Sequence, residues 1–221
     1  MKNPSRPETT DEFMRRLQMD PEYQAMMAEK DRKQAEVEAR LAEAEKPVIE
    51  DLLRVNIKVK SVWDLVNTPF SYAPAVPVLI RHLRRPYPRI VLEGIGRALG
   101  VREAIPYWDE LAALYRQTPD ITGIGPGILD KGSLKEGLAV ALSATGGPPR
   151  FEEMADLLMD RSNGPTRAHF AYALARTRDV RTWAILEQLA DEPDLYGAVE
   201  DLFERRERNA RRRARKQKGR E

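Results

Sequence analysis

One apolar phrase recurs three times in this chain, each time with helical spacing. It reads Ile95-Gly96-Arg97-Ala98-Leu99-Gly100, then Leu138-Ala139-Val140-Ala141-Leu142-Ser143, then Phe170-Ala171-Tyr172-Ala173-Leu174-Ala175. Small and apolar residues in this order bury one stripe of a helix against close neighbours. A helix pair repeated at roughly 30 residues cannot bury its stripe alone, so its copies must stack on one another. The expected fold class is therefore all-α, an α-solenoid of about four helical hairpins.

Breakers and closing residues place the hairpins. Helix A of the first runs over Ala73 to Leu83 and helix B over Arg89 to Leu99, parted by Pro86 and Pro88. The second pairs Ala104–Tyr115 with Leu134–Ala144, the third Arg150–Asp160 with Thr166–Arg176. The fourth pairs Arg181–Ala190 with a helix starting near Leu195. Leu83, Leu114, Leu158 and Leu189 close the A helices at spacings of 31, 44 and 31 residues. The middle value is one repeat plus the long loop Thr118–Gly132.

Ahead of the repeats, Thr9 and Glu12 have capping-box spacing, and Asp20-Pro21 is a second helix start. From Pro21 to Glu45 the pattern becomes charged and Ala-rich, with only Val37 and Leu41 as late apolar residues. So narrow a stripe predicts an exposed arm held by i,i+4 pairs such as Glu36 with Arg40. Pro47 marks its expected end. Ser61 is the predicted cap of Val62–Val66. The organisation is thus an arm over 1–47, an N-terminal cap over 48–69, repeats over 70–204 and a basic tail over 205–221.

Helix-pair length, the Pro or Gly-Pro breaks and the B-helix phrase together resemble the HEAT-like repeat family in its short form, the type also found in phycobilin lyases. Ser61-Val62-Trp63-Asp64-Leu65-Val66-Asn67 is similar to the lead-in of bacterial HEAT-like proteins. The resemblance implies a scaffold that offers its concave B-helix face to another protein. It also brings two alternatives, a chromophore lyase and a DNA glycosylase-type groove using Trp and Asp, here Trp63-Asp64 and Trp108-Asp109.

The residues themselves nominate no catalytic set. The chain has no cysteine, which removes thiol chemistry and Cys-held metals. Neither His82 nor His169 stands in a metal-ligand pattern, and Ser133 and Ser143 lack a nucleophile elbow. The GxGxG of Gly123, Gly125 and Gly127 follows a helix, whereas a phosphate-binding loop follows a strand. No cofactor and no metal are expected, and the leading expectation is a non-catalytic, cytoplasmic adaptor without a membrane segment. Its partner contacts are expected at Arg89, Glu93, Arg97, Lys135, Glu136, Arg167 and Arg176 on the B helices, with Ile124 and Ile128 on the loop.

Charge is unevenly spread. Residues 48–203 carry 18 basic and 21 acidic side chains, whereas residues 204–221 carry 10 and 3. A mildly acidic body argues against a DNA-reading face, and the tail is the place for non-specific nucleic-acid binding. Its candidates are Arg211, Arg212, Arg213, Arg215 and Lys216. No aromatic residue interleaves with them, so the tail alone offers no base stacking.

Overall fold

The computed structural model describes residues 9–66, 68–120 and 128–218. Among these the chain is all-helical, without a strand. It divides into two compact units, Met1–Glu43 and Ala44–Glu221.

In the first unit, α1 (Thr10–Met19) begins at the expected capping box. The Thr9 hydroxyl accepts from the Glu12 backbone N–H, and the Glu12 carboxylate accepts from that of Thr9. Asp20 caps the next helix by accepting from the Glu22 N–H at 2.9 Å. Along α2 (Pro21–Arg54) the arm is held by local pairs, Glu29 with Arg32 and with Lys33. Phe13, Met14, Met19 and Met26 remain exposed.

Pro47 does not end α2, contrary to the sequence expectation. An interior proline costs roughly 3 kcal/mol through its missing N–H and its ring. Tertiary burial offsets this here. Val48 and Leu52, just beyond it, are fully buried. Glu45, one turn earlier, accepts from the Ser61 hydroxyl at 3.0 Å and the Val62 N–H at 3.1 Å. Burial pushes the Glu45 carboxyl pKa upward, against those two bonds. Ser61 itself caps the short turn Val62–Leu65 as expected.

The rest of the second unit alternates short and close-packed helices: α3 (Val76–His82), α4 (Arg89–Ala98), α5 (Trp108–Gln117), α6 (Leu134–Thr145), α7 (Phe151–Met159), α8 (Ala168–Thr177), α9 (Arg181–Gln188) and α10 (Tyr196–Lys218). Short 3-10 segments lead into α3, α5, α7 and α8. Helices α4, α6, α8 and α10 pack each on the next, and α3, α5, α7 and α9 pack on their neighbours in that row. The core follows the repeated phrase: Val91, Ile95, Leu99, Leu138, Leu142, Phe170 and Leu174 are buried to completion.

The tightest step is α4 against α6. A Cβ on Gly96 would stand 2.8 Å from the Gly137 carbonyl carbon, and one on Gly137 would stand 2.6 Å from the Glu93 oxygen. Only residues without a Cβ let these backbones approach so closely. Polar pins cross between the helices. Trp108 Nε1 donates to the Leu142 carbonyl at 3.2 Å, and the Tyr115 and Thr166 hydroxyls lie 2.7 Å apart. Tyr72 donates to the Ala98 carbonyl at 2.8 Å, and burial pushes its pKa up to about 12.

Candidate functional site: a basic groove at the C-terminal end

The residues named from sequence as partner contacts fall into three groups. The first is buried and engaged within the fold. Lys135 donates to the Thr118 carbonyl at 2.9 Å and lies 4.6 Å over the Tyr115 ring. Arg167 donates to the carbonyls of Gly164 and Leu158 and to Glu192 at 2.6 Å. Glu93 accepts from the Ser133 N–H at 2.8 Å and from Arg97 at 2.7 Å. These three side chains support loops and helix starts rather than facing outward. The sequence pattern marked them as polar positions on amphipathic helices, and burial follows from the close neighbouring helix.

The second group forms a half-exposed chain across three helices. Arg97 on α4 reaches Glu136 on α6 at 3.1 Å, and His169 on α8 meets the same carboxylate at 2.7 Å. The His169 hydrogen bond, followed by the nearby charges, holds the Glu136 carboxyl below its ordinary range despite burial. Arg89 is half-buried at the start of α4. Ile124 and the glycine triplet lie outside the described residues, and Ile128 opens a short turn, Ile128–Asp130.

The third group is Arg176 with the tail. Here the structure joins two sets of residues that the sequence kept apart. Helix α10 runs without a break from Tyr196 to Lys218, so Leu202, Arg205, Arg206, Asn209, Ala210 and Arg213 share one face at i, i+3, i+4, i+7, i+8 and i+11. That face, with α8 and the start of α9, lines a groove of about 680 Å³. Arg176 and Arg178 form the α8 side, and Tyr172 and Trp183 supply aromatic walls. Among the described residues no carboxylate lines it, and Asp201 stands behind Tyr172 and Arg205.

Two contacts organise the groove. Asp201 accepts from the Tyr172 hydroxyl at 3.1 Å and from Arg205 at 2.9 Å, tying α8 to α10. The Arg205 bond, the largest influence, keeps Asp201 ionised to unusually low pH. Farther along, Arg206 lies over the Trp183 ring, and Trp183 tilts against Phe203 at 5.7 Å. Arg176 donates to the Ser143 carbonyl at 2.9 Å, which leaves its charge uncompensated. Arg178, Arg206 and Arg213 form no ion pair among the described residues. Arg211 pairs with Glu207 at 2.9 Å, and Arg212, Arg215 and Lys216 are exposed along α10.

Sequence reasoning missed Arg178 and the role of Trp183. Trp183 is 30 residues from Arg213 in the chain, so the tail's composition gave no sign of an aromatic partner. It also missed a buried cluster outside the groove. His82 is fully buried between Asp51 (2.9 Å from Nε2) and Tyr87 (2.5 Å from Nδ1). With Asp51 ionised, Nε2 donates to it and Nδ1 accepts from the Tyr87 hydroxyl.

The Trp-Asp pairs named for a glycosylase-type groove make local contacts. Asp64 accepts from the Lys60 and Ser61 N–H groups, and Asp109 pairs with Arg150 at 2.8 Å. Trp108 is buried, with Arg150 over its ring. Among the described residues no cluster of His, Asp and Glu has metal-holding geometry, and no helix is long and apolar enough to cross a membrane. Comparison with family models, curated proteins and solved structures finds no match to this chain.

Proposed function

We propose that this protein is a non-catalytic binding module built as a HEAT-like solenoid of four hairpins, and that it holds a polyanionic partner at its C-terminal end. The row α4, α6, α8, α10, with one further helix on each step, supports the solenoid reading. The groove supports the polyanion reading, and one observation carries it. Five arginines from α8, the α8–α9 turn and α10 line a single groove, and among the described residues only Arg205 of the five is paired with a carboxylate, that of Asp201. Like charges gathered this way repel one another, and their arrangement becomes favourable when an anion enters.

Direct titration tests this reading. A fluorescent polyanion should bind the full chain with an affinity that falls steeply as salt rises. Replacing Arg206 and Arg213 together by Gln should weaken that binding strongly while helix content is unchanged. Equal binding by the double variant would refute it.

A second reading has a specific observation behind it. Arg97, Glu136 and His169 form a half-exposed network over α4, α6 and α8, and a protein partner on that face would complete it. A partner held there would be lost on replacing Glu136 by Gln and kept on replacing Arg213.

A further inference from the structure

We infer that the groove takes the phosphodiester backbone of a single-stranded nucleic acid, and that Arg178 is one of its phosphate ligands, kept in a left-handed conformation for that purpose. The inference rests on the polyanion reading and names both the polymer and a residue that sequence did not mark.

Arg178 stands at the C-cap of α8 with φ 64 and ψ 14, the conformation at which a helix ordinarily ends in Gly or Asn. An arginine there bears a steric cost that glycine avoids. It makes no ion pair among the described residues, its side chain is exposed, and it lines the groove with Arg176. A strained residue whose long cationic side chain enters a site marks a demand of that site. Across the groove, Arg206 and Arg213 are seven residues apart on one helix face, about 10 Å along the axis. Cations from two walls thus bracket a linear anion rather than a single ion.

Two features favour a nucleic acid over an acidic peptide. Trp183, with Arg206 over its ring at 4.3 Å, gives the groove an indole–guanidinium platform, and bases stack on such surfaces where carboxylates have nothing to offer. In addition, beyond the Arg211–Glu207 pair, Arg212, Arg215 and Lys216 extend the positive charge along the exposed end of α10. Charge on every side of a helix suits a flexible polymer that wraps it. A base must leave its pair to reach a platform inside a groove, which selects the single strand.

The experiment measures anisotropy of labelled oligouridylate, oligothymidylate, an oligonucleotide duplex and oligoglutamate of equal length, using the full chain, its Arg178→Gly variant and its Arg206→Gln/Arg213→Gln variant. Melting temperature is read in parallel. The inference expects either single strand to bind at least about tenfold more tightly than oligoglutamate, because stacking adds to charge. The tighter of the two strands names the polymer. Arg178→Gly should melt at the same temperature or higher, and its slope of log K against log salt should be shallower by about 0.7. Oligoglutamate binding as tightly as the strands would overturn the choice of polymer, and tighter duplex binding would overturn the single strand. Both outcomes leave the polyanion reading intact. Arg178→Gly that melts lower and binds unchanged would make Arg178 a cation complementing the α8 C-terminus, and the inference would fail. If the double Gln variant binds every probe as the parent does, the polyanion reading fails with it.

Discussion

The Arg206 guanidinium lies 4.3 Å from the centre of the Trp183 ring, and the two residues come from different helices, α10 and α9. An exposed cation–π contact of this kind is worth about 0.5–1 kcal/mol. It holds the arginine in place without neutralising it. Arg206→Met should therefore change stability by less than about 1 kcal/mol, and it should weaken polyanion binding at low salt. A chemical-melting curve paired with a titration checks both halves.

The approach of α4 to α6 depends on two missing side chains. Gly96→Ala and Gly137→Ala each force a Cβ into backbone at under 3 Å, and overpacking of this sort costs about 1–3 kcal/mol. Gly197 in α10 is the control, because a Cβ there meets nothing within 4 Å. Gly197→Ala should stabilise by about 0.5–1 kcal/mol through helix propensity. Urea unfolding of the three variants reads the contrast in sign.

Burial converts Arg167 from an interaction residue to a structural one. Arg167→Ala removes bonds to two buried carbonyls, about 1–3 kcal/mol for each acceptor left unsatisfied, and leaves Glu192 to Arg161 alone at 2.8 Å. Arg176→Ala, at an exposed position with one hydrogen bond, should cost less than about 1.5 kcal/mol. Thermal melting separates the two. Similar losses would contradict the assignment.

The Asp51–His82–Tyr87 cluster predicts a pH dependence. Burial, the largest cause, lowers the His82 pKa below its ordinary value, and its hydrogen bond to Asp51 opposes this without prevailing. The unfolded chain therefore binds more protons than the folded one just below the unfolded value of about 6.5. Stability from His82 is present above that pH and is lost as pH falls through it. Asp51, whose carboxyl is lowered chiefly by the same His82 bond, acts in a separate and more acidic window. Melting temperature should drop between neutral and mildly acidic pH in the parent, and the drop should flatten in His82→Gln.

Much of the helix pattern was legible in the sequence because its signals are local. The caps at Thr9, Asp20 and Ser61, the proline breaks and the repeated phrase each act within a few residues, and the helices begin and end close to those marks. Pro47 misled because a local cost was outweighed by distant burial of Val48 and Leu52. The candidate site was harder to read for the same reason. Lys135 and Arg167 look like surface positions until the loops that accept their hydrogen bonds are in place. The groove requires Trp183, Arg178 and Arg213 to meet, and no spacing rule connects residues on separate helices. Left-handed backbone at Arg178 also has no sequence signal, since arginine is not a residue that favours it.

The most direct test of the central claim is hydrogen exchange of the full chain with and without a saturating single-stranded oligonucleotide. The account predicts added protection over residues 172–183 and 202–213, with the α4 and α6 backbone unchanged. Protection centred on residues 89–100 and 134–145, or none in either place, would contradict it.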